Sequence, residues 1–315
     1  MTDPSPAASA VTVHTPVLVE SLLSYLDLSP GARCIDATID GGGHTAAILA
    51  RTAPDGQVLG IDRDPELLTA VRRTLADAVD AGRLLLASGN FRELTRIATV
   101  RHFAPVHAIV IDLGVSSFHF DSSGRGFSFM RDEPLDMRFD PNDPDAETAA
   151  DILASRDAAE LAAIFRSFGE ERFARRIAER IVQNRTERPL QHTDQLFEVV
   201  KAALPGKIRW RAARSAARVF QALRIAVNDE LDAVADLLPQ ALSLLAPGGK
   251  LAVFSFHSLE DRMVKQFFVA ERQAGRVRIL TRKPIQATDD EIATNPRAAS
   301  AKLRVAEATG GNAPG

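Results

Sequence analysis

The chain has 315 residues, 45% of them hydrophobic, and a formal net charge of −3, enough to bury a sizeable core in one or two domains. Its single cysteine, Cys34, excludes an internal disulfide and fits a reducing cytosol. No apolar run approaches the roughly 20 residues needed to cross a bilayer, and residues 1–12 (MTDPSPAASAVT) lack the basic start and apolar centre of a signal peptide, so a soluble, cytoplasmic protein with a disordered N-terminal arm is expected.

In chain order, residues 16–28 read as an amphipathic helix, followed by a strand at 33–37 and a helix at 45–51. A strand at 57–62 precedes a helix from 65 to about 81, and a strand at 83–87 precedes a helix at 91–101. A strand at 106–112 closes this series, and the alternation predicts a parallel sheet with helices on both faces. Residues 113–144, rich in Gly, Ser, Asp and Phe, read as a long irregular connection, and 146–224 as almost entirely helical. Sheet-type sequence returns at "GGKLAVFSFHS", with a strand at 250–256, a helix from 259 to about 273, and strands at 276–280 and 302–306. The expected organisation is an α/β domain at 13–117 and 225–308, interrupted by a mainly helical insert at 118–224, with a frayed tail at 309–315.

The small net charge hides a strong segregation. Residues 132–160 hold ten acids against Arg138 and Arg156, whereas residues 166–224 hold fourteen Arg or Lys against six acids. Residues 272–304 add eight basic side chains against three acidic ones. Such basic blocks suit a polyanion such as RNA or DNA, and equally a solvated, salt-bridged helical surface.

"CIDATIDGGGHTAAIL" is a strand–glycine turn–helix passage in which Gly41, Gly43 and Ala46 fit the dinucleotide fingerprint G-x-G-x-x-A. In an open parallel sheet the ligand sits beyond the carboxyl ends of the strands, and here those ends carry Asp36, Asp62 and Asp112, with Asp40 and Asp64 close behind. A pyrophosphate would meet several carboxylates, each like-charge pair costing about 1 kcal/mol at ~4 Å even in water. A ligand with positive centres fits better. S-adenosyl-L-methionine offers a sulfonium, an ammonium and a ribose diol, and Asp62, about 20 residues past the glycines, is placed to accept from both ribose hydroxyls.

The blocks "DATIDGGGHTAAIL", "GIDRDP", "DLGVSS", "RGFSFMRDEPLDMRFD", "EERFARRIAERIV", "FQALRIAVNDEL", "FSFHSLEDRMVKQFF" and "NPRAASAKLRVAE" follow one another over about residues 13–307. The chain thereby resembles the bacterial ribosomal RNA small subunit methyltransferase H family. The resemblance implies a Rossmann-like S-adenosylmethionine-dependent methyltransferase sheet with an inserted helical domain. It also implies methylation of the exocyclic N4 of a cytidine in the decoding region of 16S rRNA within the small ribosomal subunit. Cofactor contacts are implied at Gly42, Gly43, His44, Asp62, Phe91, Asp112 and His119. The chain departs from the family in three places: Asp40 stands where Gly is usual, His119 where Gln is common, and Arg214-Ser-Ala-Ala-Arg218 where His-Pro-Ala-Thr-Arg precedes "FQALRI".

Methylation of an amino nitrogen needs no covalent enzyme intermediate, so the chemistry asks for orientation and a proton acceptor. Cys34, in an apolar strand, reads as a core residue. Asp112 in "DLGVSSFHF" is positioned to accept a hydrogen bond from the N4 amino group or to hold the cofactor, and His257 after the fifth strand is a further catalytic candidate. Phe118 and Phe120 are candidates to stack on an extruded base, although each alone reads more readily as core. Ser258 with Asp261 spells a capping box, S-x-x-D, and is expected to start the following helix. Seven histidines without paired Cys/His spacing indicate no metal site. Lys207, Arg209, Arg211, Arg214 and Arg218 around Trp210 are the expected RNA contacts. Two rival functions remain: an NAD-dependent dehydrogenase, favoured by the glycine fingerprint and opposed by the acidic strand ends, and a non-catalytic RNA-binding ribosome assembly factor that keeps the fold.

Overall fold

The structure, a computed structural model, describes residues 16–310. The expected arm at 1–12 lies outside the described residues, and the expected tail is described only at Thr309 and Gly310.

One seven-stranded sheet has the order β3-β2-β1-β4-β5-β7-β6. Its strands are β1 (Arg33–Asp36), β2 (Gln57–Asp62), β3 (Leu84–Ser88), β4 (Val106–Asp112), β5 (Leu245–Ser255), β6 (Val277–Ile279) and β7 (Lys302–Ala308). Strands β1 to β5 pair in parallel, and β7 runs antiparallel to both of its neighbours. The central strands are near-continuous apolar runs because both of their faces are covered. Regular pairing of β5 with β4 begins at Lys250, the expected start of that strand, after a register shift between Val106 and Ala108.

On one face, Leu22 and Leu26 of α1 (Val19–Leu26), Ile48 and Leu49 of α2 (Gly43–Arg51) and Val71 of α3 (Pro65–Thr74) pack on the sheet. The helix expected over 65–81 is broken at Leu75, after which α4 (Ala76–Asp80) starts afresh. On the other face lie α5 (Leu94–Val100), which follows a short 3-10 turn at Phe91–Glu93, and two later helices. These are α12 (Glu230–Leu244) and α13 (Ser258–Gln273).

Between β4 and β5 a second unit intervenes. A short helix, α6 (Ser117–Asp121), and an irregular passage lead into α7 (Ala149–Ser155), α8 (Ala158–Ser167), α9 (Ala174–Arg185), α10 (Thr193–Ala203) and α11 (Ala212–Asn228). Phe165, Ile177, Leu196, Phe220 and Leu223 are among the buried side chains that give this unit a core of its own. Helix α11 continues past the boundary expected at residue 224 and ends at Asn228, so its last turn reaches the sheet unit. A last helix, α14 (Asp289–Thr294), and a 3-10 turn at Pro296–Ser300 precede β7. Among the described residues no helix is long and apolar enough to cross a membrane.

The start of α13 corrects one expectation. Its N-cap is His257, not Ser258: His257 Nδ1 accepts from the Glu260 backbone N–H at 3.4 Å, and Glu260 Oε2 accepts from the backbone N–H of His257 at 3.3 Å. The reciprocal box is therefore His257–Glu260, one residue earlier than S-x-x-D suggests. Ser258 Oγ instead donates to Glu170 in the turn after α8, at 2.7 Å.

Candidate active site

A cavity of about 310 Å³ opens beyond the carboxyl ends of the parallel strands. The sheet unit contributes Thr38, Asp40, Asp62, Asn90, Phe91 and Asp112, and the second unit contributes Phe139, Gln221, Arg224 and Asn228. Both units therefore wall one cavity. Asn228 ties them: its Oδ1 accepts from the Phe139 N–H at 2.9 Å, its Nδ2 donates to the carbonyls of Met137 and Arg224, and its own carbonyl accepts from Arg63.

The glycine turn is built tightly. Gly42 holds a φ of +79° before α2, and a Cβ on Gly43 would meet Pro16 Cγ at 2.7 Å, so neither position accepts a side chain without distortion. Gly42, Gly43 and His44 are not in the cavity wall, which at this end is made by Thr38 and Asp40. His44 is buried against Phe254, its Nε2 lies 2.9 Å from the Val17 carbonyl, and its Nδ1 faces Asp112 Oδ2 at 3.5 Å. Asp40 has a φ of +47°, a left-handed conformation that a glycine here would adopt without strain.

The five strand-end acids separate into distinct roles. Asp36 is buried away from the cavity, accepting from Thr45 Oγ1 at 2.6 Å and from the Thr38 N–H, and burial raises it to about 6. Asp64 caps α3 by accepting from the Glu66 N–H and is clasped by His119 and Arg125. Despite burial, those two hydrogen bonds hold it below the ordinary carboxylate range. Asp62 lines the cavity, with one oxygen accepting from the Asp40 N–H at 3.0 Å and the other from the Asp64 N–H at 2.9 Å. Burial pushes it up to about 7. Asp112, whose N–H donates to Thr38 Oγ1 at 2.6 Å, is raised well above the usual range by burial and then by the charges of Asp40, Asp36 and Glu260. Its Oδ1 is buried with no protein partner.

Phe91, on the 3-10 turn capped by Asn90, lines the cavity, as do His119 and Phe120, whereas Phe118 faces the Arg125 guanidinium. Cys34 is fully buried, and burial raises its thiol to about 12, which removes it as a nucleophile. His257 lines the far wall, with Nε2 3.0 Å from Glu260 Oε1 and Nδ1 engaged in the helix cap. Glu230, His257 and Glu260 bring ligand atoms within 4.8 Å of one another, a convergence that sequence spacing does not reveal. There Arg224 already meets Glu230 through two hydrogen bonds at 2.7 and 2.9 Å.

Sequence reasoning missed the contribution of α11. Gln221, Arg224 and Asn228 interrupt an apolar helix at i, i+3 and i+7, a spacing that places three polar groups on one face. That pattern was available in "FQALRIAVNDEL" and is the signal that identifies them.

The expected RNA contacts lie on the second unit. Lys207, Arg209, Trp210 and Arg211 form an exposed 3-10 turn (Gly206–Arg211), and Arg214 and Arg218 follow on α11. Trp210 is 75% exposed, with the Arg211 guanidinium 4.4 Å from its ring centroid. Among the described residues, Arg218 pairs with Glu171 at 3.7 Å, and no ion pair ties these six side chains to the acidic segment 132–160.

The sequence pattern of the MraW methylase family matches residues 11–309. A ribosomal RNA small subunit methyltransferase H from Syntrophotalea carbinolica is 48% identical, covering 92% of this chain and 96% of that protein. The protein of the same name from Thermomicrobium roseum is also 48% identical, covering 94% of each chain. Among solved structures, an rRNA methylase from Streptococcus thermophilus aligns over 95% of this chain and 99% of its own, with a TM-score of 0.44 and 11% identity. An acidic cavity at the strand ends, the seven-stranded sheet and relatives matched along nearly their full length converge on one assignment: the chain belongs to the MraW methylase family and is an S-adenosylmethionine-dependent methyltransferase.

Proposed function

We propose that this enzyme methylates the exocyclic N4 of a cytidine in the decoding region of 16S rRNA, with the small ribosomal subunit as its partner. The observation that carries the reading is Asp112, a carboxyl in the cavity wall at the end of β4 whose buried Oδ1 has no protein partner. The family names carried by the relatives supply the substrate class, small-subunit ribosomal RNA.

The residues present fit the cofactor. Asp62 accepts from the ribose hydroxyls, Phe91 offers an apolar face and His119 lines the wall, while Gly42, Gly43 and His44 stand behind that wall and shape the turn that carries Thr38 and Asp40. When bound, S-adenosylmethionine supplies an electrophilic methyl group beside two positive centres. Those charges favour the ionised forms of Asp62 and Asp112, which the cavity alone disfavours. Asp112 then orients the N4 amino group and accepts its proton, with His44 Nδ1 behind it. Lys207, Arg209, Arg211, Arg214 and Arg218 contact phosphates while Trp210 stacks on a base.

The test is mass spectrometry of nucleosides from small-subunit rRNA of cells with and without the protein. Loss of an N4-methylated cytidine is expected, and an unchanged nucleoside profile overturns the reading. Incubating the purified enzyme and labelled cofactor with free 16S rRNA and with assembled subunits then identifies which of the two is modified.

A further inference from the structure

His119 stands in the cavity wall, and its ring is 4% exposed. Its Nε2 lies 3.0 Å from Asp64 Oδ2, and its Nδ1 is buried without any protein partner. The same Asp64 oxygen accepts from Arg125 Nη2. Arg125 is fixed in turn, with Nη1 donating to the carbonyls of Arg138 and Phe139 at 3.0 and 2.8 Å.

These contacts determine the tautomer. Asp64 carries an arginine partner and accepts the Glu66 N–H, so it is an ionised, acceptor-only group. Nε2 must therefore donate to it, which leaves Nδ1 with a lone pair. Burial lowers the His119 pKa, and the neutral ring is the relevant form at neutral pH. A buried acceptor without a partner costs free energy that a ligand donor would recover. A glutamine amide can rotate to offer oxygen or nitrogen, whereas this ring cannot.

We propose that Asp64 and Arg125 are positioning residues that lock His119 as a dedicated hydrogen-bond acceptor for an N–H or O–H donor of the cofactor. The inference rests on the cofactor reading of this cavity. The ribose hydroxyls are assigned to Asp62, and the Arg125 guanidinium beside the ring disfavours the cofactor's ammonium, which leaves the adenine amino group as the donor.

Calorimetry with S-adenosylhomocysteine, S-inosylhomocysteine and the 2′- and 3′-deoxy analogues measures the contact without turnover. The wild-type protein is expected to bind S-inosylhomocysteine about tenfold more weakly than S-adenosylhomocysteine, as for one lost hydrogen bond, while the deoxy analogues report on Asp62. His119→Ala should weaken S-adenosylhomocysteine by a similar factor and abolish that discrimination, while His119→Gln, which keeps an acceptor, should retain affinity. Nitrogen NMR of labelled histidine should show the Nε2–H tautomer in the wild type and lose that preference in Asp64→Asn, which still carries a capping oxygen. Undiminished binding by His119→Ala, or a proton on Nδ1 in the wild type, overturns the proposal. A wild-type protein that binds none of these ligands overturns the cofactor reading of the cavity instead.

Discussion

Burial in the cavity wall disfavours the charged forms of both Asp62 and Asp112. Burial raises Asp62 to about 7, and Asp40, whose backbone N–H donates to it, adds repulsion to both carboxyls. A carboxyl raised on folding binds more protons in the folded chain than in the unfolded one. Its stabilising contribution is thus complete below the unfolded value of about 4 and is lost as pH rises through about 7. The thermal midpoint of the ligand-free protein should fall across that window, and Asp62→Asn should flatten the fall; a parallel profile for the variant contradicts the assignment. Affinity for S-adenosylhomocysteine should rise with pH over the same interval, because ribose hydroxyls are held best by the carboxylate. Asp62→Ala should weaken that ligand, two charge-assisted hydrogen bonds contributing about 1.5–3 kcal/mol each before compensation; calorimetry measures the loss. Asp112→Asn preserves shape but removes proton acceptance, so it should depress kcat far more than cofactor affinity or thermal stability. Methylation at the wild-type rate would show that Asp112 neither orients nor accepts.

The cap of α13 is an element-scale question, because His257 both starts the helix and lines the cavity. Nδ1 is engaged in the cap and Nε2 lies 3.0 Å from Glu260 Oε1, contacts that a structural role is enough to explain. His257→Ala should cost about 1 kcal/mol of stability, as for a lost N-cap, and His257→Asn, a good cap, should restore both stability and turnover. A stable but inactive His257→Asn would return the residue to the reaction. Local signals made most elements legible: β2 and β4 have the ranges expected from their apolar runs and Pro65 marks the start of α3, whereas α2 begins at Gly43, two residues before the expected start. The cap was misplaced because Ser258 is the better capping residue by type, whereas the fold draws its hydroxyl to Glu170, 88 positions away in sequence. The sheet side of the cavity wall was readable in part. Asp62 and Asp112 end their strands and Phe91 is implied by the family resemblance, but Gln221, Arg224 and Asn228 reach the site only through the packing of α11 against the sheet unit.

At the scale of the molecule, two cores share one cavity, and the exposed basic turn at Gly206–Arg211 belongs to the second of them. The acidic segment 132–160 meets its own arginines, with Arg138 on Asp136 and Arg156 on Glu147, which leaves the turn at Gly206–Arg211 and the start of α11 free of it. An exposed tryptophan with an arginine stacked on it provides a flat face for a base beside cations suited to phosphates. If these residues contact phosphates, binding releases counterions, and affinity falls with salt in proportion to the number of contacts. Replacing Lys207, Arg211 and Arg214 with Gln should therefore flatten the slope of log affinity against log salt by roughly two to three units. Trp210→Ala should weaken RNA binding with the slope unchanged, because stacking releases no ions. Affinity for S-adenosylhomocysteine should be preserved in both variants, since none of the four side chains lines the cavity. Filter binding of small-subunit rRNA across a salt series measures all of these quantities. A triple variant with wild-type affinity and slope would reduce the basic turn to a solvated face, and the arginines of α9 would become the next surface to neutralise.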